Sequence, residues 1–153
     1  MKRLLSLLCA ATLVAVVGCN RSGVIDATGS SGGSSPGGGT KSATIARIAH
    51  GQQVDIKNYV VPGKTTIFDF TSEFCPPCRA IAPHLHKLHA DRADIVVVEV
   101  DVNRPDHQGI DWQSPVAKQY GLQSIPHFKV FDPDGKLKAE GDAAYSLVTG
   151  MFQ

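Results

Sequence analysis

Cys75 and Cys78 stand three residues apart with Pro76 and Pro77 between them. On a helix, side chains at that spacing share a face one turn apart. Their sulfurs can therefore close into a small disulfide ring and reopen. Upstream, Thr65-Thr66-Ile67-Phe68-Asp69-Phe70 is β-branched and aromatic and is bounded by Pro62-Gly63, which predicts a buried strand. Downstream, between Ala80 and Ala90, Ile81, Leu85 and Leu88 recur at helical spacing. A cysteine pair at a strand-to-helix junction within βαβ patterning reads as a redox motif.

That position has chemical consequences. Cys75 sits at the helix mouth, where unpaired N–H groups and the positive end of the dipole favour a thiolate. Cys75 is thus the expected nucleophile and Cys78, one turn inward, the resolving thiol. Pro76 and Pro77 fill the first helical positions, where a missing N–H breaks no helical bond. Neither can donate to the Cys75 sulfur, which leaves the N–H groups of Cys78 and Arg79. Fewer donors and a stiffer ring both favour the disulfide, so the pair is expected to act as a reductant rather than a strong oxidant. A structural disulfide is one alternative. A structural zinc site is another, but zinc needs four ligands. The nearby His84, His86 and His89 share one helix and cannot all turn to its mouth. They are expected on the surface.

The chain has 153 residues, with 15 basic against 14 acidic, so neither its charge nor its sparse aromatics suggest a nucleic-acid surface. Its ends differ in composition. Lys2-Arg3 followed by the apolar run Leu4 to Val17 has the form of a targeting segment, too short to span a membrane comfortably. The run ends in Val16-Val17-Gly18-Cys19, which resembles the signal of bacterial lipoproteins. That resemblance implies cleavage after residue 18 and lipid on Cys19; an ordinary secretory signal is the alternative. Asn20 in place of an Asp implies the outer membrane. Cys9 would leave with the signal, so Cys75 and Cys78 remain the only pair, in an oxidising compartment. Removal of Lys2 and Arg3 leaves 13 basic residues against 14 acidic.

Residues 19–43 then form a Gly/Ser-rich linker. Its composition cannot bury a core and predicts a coil whose ends lie roughly 25–30 Å apart. From Thr44 the pattern changes. Ala43 to Ile48 is a candidate first strand, and Gln53 to Ile56 a short second element. Pro83 falls inside the helix after Cys78, where it should kink it. Asp94 to Val102 is apolar on both faces in its middle, as in a parallel strand covered by helices. Asn103 to Ser114 is polar and turn-rich. Pro115 to Tyr120 reads as a helix stopped by Gly121. His127 to Phe131, the turn Asp132-Pro133-Asp134-Gly135 and Lys136 to Glu140 predict an antiparallel hairpin. Asp142 to Gln153 leaves room for a short last helix.

In this order and around a Cys-Pro-Pro-Cys, the region 44–153 resembles the thioredoxin-like family. Asp69 matches the family's buried acid, Pro83 the proline of the active-site helix, and Ile125-Pro126 the cis-proline lying against the cysteines. Gly135 and Gly141 match glycines in and after the hairpin. The resemblance implies an α/β, thioredoxin-like fold with a central mixed β-sheet flanked by helices. It also implies catalytic roles for Cys75, Cys78, Asp69 and Pro126. Asp69, desolvated on a covered strand, would have a raised pKa and take the Cys78 proton. Pro126 would expose backbone for a substrate strand.

The sequence departs from the family in three places. Phe74 replaces the usual tryptophan, and Val97 stands for a lysine near the buried acid. The stretch from Asn103 to Ser114, with Trp112, is longer and either packs on the domain or shapes a partner surface. His127, next to Pro126, either lies near the thiols or faces solvent.

The expected function is that of a membrane-tethered thiol–disulfide oxidoreductase facing the periplasm. It would act as a monomer on protein thiols and disulfides, with a membrane redox partner and no cofactor, metal or nucleic acid. The alternative is a copper(I) delivery module using the same cysteines, with His127 as a third ligand. A partner-binding domain without turnover is a third reading, which the complete set of Asp69, Cys75, Cys78 and Pro126 argues against.

Overall fold

The computed structural model describes residues 42–153. The expected signal segment, Cys19 and nearly all of the linker lie outside the described residues. Chain order runs β1 (Ala46–Ile48), a 3-10 helix (Ile56–Tyr59), β2 (Thr65–Thr71), α1 (Pro76–Asp91), β3 (Ile95–Asp101), α2 (Pro115–Gln119), β4 (His127–Phe131), β5 (Leu137–Glu140) and α3 (Gly141–Thr149).

The five strands form one mixed sheet in the order β1-β3-β2-β4-β5. β1 and β2 both run parallel to β3, β4 is antiparallel to β2, and β5 closes the hairpin. β2 lies at the centre, and only its first residue, Thr65, is not buried. Side chains alternate across a strand, and the alternation sorts the core into two layers. Ile67, Val97 and Phe128 face α1 and α3, meeting Ile81, Leu85, Leu88, Ala144 and Val148. Phe68, Phe70, Val98 and Val100 face the other way, meeting Ile56, Val116, Ala117 and Leu122. Each fully buried Leu, Ile, Val or Phe contributes about 1.5–3 kcal/mol, so the strand that delivers the site is also the best anchored.

The hairpin turn is built as its residues dictate. Gly135 adopts φ +77°, and its N–H donates to the Asp132 carbonyl at 2.9 Å. The Asp132 carboxylate accepts from the N–H groups of Asp134 and Lys136. Ser114 caps α2 through the N–H of Ala117.

Two expectations need correction. The first strand is shorter than Ala43 to Ile48, because only Ala46 to Ile48 pair, with Val98 to Val100. His89 is not on the surface but only 3% exposed. It lies four residues beyond Leu85 and so continues the apolar stripe. The Val97 N–H donates to its Nδ1 at 3.0 Å, and its Nε2 lies 2.8 Å from the Ser42 carbonyl. The ring thus pairs a strand N–H just below the point where β1 begins.

Candidate active site

Cys75 is the N-cap of α1, with φ −102° and ψ 104°. The turn before it is held by Phe74 N–H on Ser72 Oγ and Cys75 N–H on the Ser72 carbonyl. Pro76 and Pro77 take the first two helical positions, as their fixed φ and missing N–H allow. The Cys75 and Cys78 sulfurs are bonded, with Cα atoms 5.2 Å apart. The Cys78 N–H donates to Cys75 Sγ at 3.2 Å. Arg79 does not share this role, because its N–H closes the first helical bond on the Cys75 carbonyl at 3.1 Å. One amide, not two, therefore faces the nucleophilic sulfur.

The Ile125-Pro126 peptide bond is cis, and the Ile125 carbonyl oxygen lies 3.7 Å from Cys75 Sγ. Both cysteines are 1% exposed. Pro76 and Pro77 are exposed around them, and Phe74, Ile125 and Pro126 are half-buried. A reacting sulfur reaches Cys75 over this apolar rim.

On β2, beside Glu99 and Phe128, Asp69 is 1% exposed, and neither carboxylate oxygen has a hydrogen-bond partner. Burial first, and the neighbouring Glu99 carboxylate second, push its pKa from 3.8 up to about 8, against the opposing pull of Arg47. The strand register identifies that neighbour. Asp69 pairs with Glu99, whereas Val97 pairs with Ile67. The residue that departs from the family's lysine beside the acid is thus Glu99, not Val97, a distinction only the ladder could make. Glu99 is itself held by Arg47 at 3.4 Å and His86 at 3.2 Å.

The histidines do not gather at the helix mouth. His84 stacks on Phe152, His86 pairs with Glu99, and His89 is buried in the core. His127 does not stand free in solvent. It shares the face of Phe70, whose ring centroid is 5.7 Å away, and lies 3.4 Å from Glu140. α1 covers the opposite face. The stretch Asn103 to Ser114 packs on the domain, fastened by the Arg104–Asp111 ion pair at 2.6 Å around a fully buried Asp111. Trp112 remains 38% exposed, and a polar hollow of about 360 Å³ lies between this loop and Phe74.

Similarity to known proteins agrees with this geometry. The family profile described as Thioredoxin matches residues 48–149. Thioredoxin H3 of Arabidopsis thaliana is 36% identical over 75 residues, covering 49% of this chain and 56% of its own length. The chain spans about half the length of the first curated relatives it matches. Among solved structures, thioredoxin f2 in complex with ferredoxin:thioredoxin reductase aligns with a TM-score of 0.52 and 23% identity, covering 72% of this chain and 93% of the other. Spinach chloroplast thioredoxin f (short form) aligns with a TM-score of 0.50 and 22% identity, covering 71% and 91%. By fold, by the profile match and by the cysteine pair at disulfide distance, the chain belongs to the thioredoxin family.

Proposed function

We propose that the chain is a membrane-tethered protein thiol–disulfide oxidoreductase that works mainly as a reductant. The observation that carries this reading is the alignment of three groups. Cys75 caps α1 and receives one N–H, the Ile125 carbonyl flanks its sulfur, and Asp69, on the strand that leads to them, is a buried acid with no partner. In the reducing direction, the Cys75 thiolate attacks one sulfur of a client disulfide and releases the other as a thiolate. Cys78 loses its proton to Asp69 and attacks Cys75 Sγ. The bond between Cys75 and the client then breaks, the second client thiolate leaves, and the Cys75–Cys78 disulfide remains. The client gains two electrons and the enzyme gives up two. Reloading reverses the steps. With its pKa near 8, Asp69 is neutral at pH 7 in the disulfide form and holds a proton for the Cys78 sulfur as the ring opens.

The tether, the export and the facing compartment rest on sequence: Lys2-Arg3, the apolar run, and Val16-Val17-Gly18-Cys19 followed by Asn20. In this proposal acylated Cys19 anchors the chain to a bacterial outer membrane facing the periplasm, and a membrane redox partner supplies electrons. The signal (1–18), linker (19–43) and redox domain (44–153) divide these tasks.

Copper(I) delivery through Cys75 and Cys78 is the competing reading, and one pair of variants separates the two. Cys78→Ser should accumulate a reductant-sensitive adduct between Cys75 and client proteins, whereas Cys75→Ser should trap far less. Non-reducing gels of exported fractions, with mass spectrometry of shifted bands, give the answer. A carrier would instead lose copper binding equally in both variants and form no defined adducts.

A further inference from the structure

The first residue of β4 ties the segment beside Cys75 to the junction between β5 and α3. β4 runs antiparallel to β2, and its His127 pairs with Phe70, one residue from the end of β2 that leads to Cys75. Two residues earlier stands Ile125, whose carbonyl oxygen lies 3.7 Å from Cys75 Sγ. Pro126, between them, has no N–H to give the ladder. His127 is therefore the first point of β4 at which the ladder holds that segment. β5 returns to the same end of the sheet, where Glu140 pairs with Lys129 and Gly141 opens α3 with φ +61°. A Cβ at Gly141 would stand 3.8 Å from His127 Cε1, so the imidazole lies against this junction.

The ring takes part in an unfinished ion pair. Its side chain is 19% exposed, and Nε2 is buried without a hydrogen bond. Glu140 Oε1 lies 3.4 Å from that nitrogen, beyond the about 2.7–3.2 Å of an ordinary N–H···O bond. The same oxygen lies 2.6 Å from Lys129 Nζ, which in turn sits 5.2 Å from the centroid of the Tyr120 ring. A protonated imidazole presents a charged N–H to Oε1 and completes the pair; a neutral one leaves it open. Resting on the reading of Cys75 as the attacking thiol, we propose that His127 is a positioning residue for client docking. Protonated, it closes on Glu140 and holds the Ile125-Pro126 backbone in place for a client; neutral, it releases that hold. The client is an extended polypeptide strand, because what the tie fixes is backbone. A small disulfide reaches Cys75 without it. The tie is present at low pH and is lost as pH rises through the range in which imidazoles titrate, about pH 5 to 8.

The groups that face the ring can be named element by element. β5 contributes Glu140, and β4 itself contributes Lys129. β2 contributes Phe70, whose ring centroid is 5.7 Å from the imidazole, and Tyr120, just after α2, packs on Phe70 at 4.9 Å. α3 contributes Gly141, and its first acid, Asp142, is exposed. Asp69 pairs with Phe128 and so takes the opposite face of the sheet. The hydrogen bond from Lys129 holds Glu140 below the ordinary carboxyl range. Glu140 thus stays ionised across the window, and the imidazole is the member of the pair that changes charge. A His127 that merely fills space would give neither a pH profile nor a difference between a strand-like client and a small one.

The experiment compares two substrates from pH 5 to 8. Reduced protein reacts with a blocked peptide disulfide that carries no titratable side chain, and separately with a small aromatic disulfide. Both rates contain the thiolate fraction of Cys75, so their ratio cancels it. In the wild type the ratio of peptide to small-disulfide rate should fall at least threefold across the range, through a rise in the half-saturating peptide concentration. His127→Gln keeps a polar group beside Glu140 but cannot change charge, and Glu140→Gln removes the charge that the imidazole answers. Both should make the ratio independent of pH while the small disulfide reacts at the wild-type rate, which also shows that the variants are folded. Should Glu140→Gln lose its fold with Lys129 unpaired, His127→Gln decides alone. A ratio that is flat in the wild type, or that keeps its slope in a folded variant, would overturn the proposal. If neither substrate reacts with the wild type, the reading of Cys75 as the attacking thiol fails instead.

Discussion

Burial makes Asp69 a group that folding holds neutral. In the unfolded chain it ionises near 3.8, and in the folded disulfide form near 8. Between those values the unfolded chain has released a proton that the folded chain keeps. Stability therefore falls as pH rises through this window, by at most about 1.4 kcal/mol per pH unit. Below it the carboxyl is neutral in both states and carries no such penalty. Asp69→Asn should remove the slope. The oxidised variant is expected to match the wild type near pH 4 and to exceed it by about 2–4 kcal/mol at pH 7. Urea unfolding of both proteins from pH 4 to 8 measures the difference; parallel curves would mean that Asp69 does not carry this proton. In the proposed mechanism the same substitution should slow resolution, so stability and rate are expected to move in opposite directions at one residue.

At the scale of elements, the loop from Asn103 to Ser114 is fastened by the Asn103 side chain and by a buried charge. Asp111 accepts two hydrogen bonds from the Arg104 guanidinium and one from the Gln113 N–H. The Arg104 hydrogen bond holds its pKa below the ordinary carboxyl range. The sign is opposite to that of Asp69: this stability is present above pH 3.8 and is lost as pH falls through the lowered value. Trp112 is the chain's single tryptophan, so its fluorescence reports on the loop. Asp111→Asn should shift Trp112 emission and raise amide exchange across 103–114 at least tenfold at pH 7, with a global cost of about 1–3 kcal/mol. An unchanged exchange pattern would show that the ion pair does not fasten the loop.

β2, α1 and the hairpin were legible in the sequence, because each is written in local signals: the β-branched and aromatic run after Pro62-Gly63, the 81-85-88 stripe, and the Asp132–Gly135 turn. The cysteine pair, Asp69 and Pro126 followed from motif and resemblance. What was not legible depends on register and on which face a residue takes. Glu99 sits in a strand of seven residues that reads as uniformly apolar around it. Only the ladder shows that it, and not Val97, meets Asp69. His127 alternates with Phe128, and one position decides whether it faces the α1 layer or Phe70. His89 did carry a signal, four residues after Leu85 on the buried stripe, but a histidine there reads as polar until its two partners are seen.

For the whole molecule, location decides whether the proposed chemistry can be used. A reductant in an oxidising compartment works only while an electron source keeps Cys75 and Cys78 reduced. The proposed anchor at Cys19 would hold the domain near a membrane partner, at a reach set by residues 19–43. The described domain offers no membrane contact of that kind itself: no helix among the described residues is long and apolar enough to cross a bilayer. Confinement within a few nanometres raises the effective concentration of a tethered partner to the millimolar range, far above that of a freely diffusing exported protein. Cys19→Ser should therefore do two separable things. It should abolish incorporation of a fatty-acid analogue, leaving the protein uncleaved or released in soluble form. It should also shift the Cys75–Cys78 pair toward the disulfide in living cells, as read by acid quenching and alkylation with a mass tag. The purified domain should keep its wild-type rate with a small disulfide substrate, since Cys19 takes no part in exchange. Equal lipid label on wild type and variant would remove the anchor from this proposal. Loss of the label without a shift in redox state would keep the anchor but move the electron source away from the membrane.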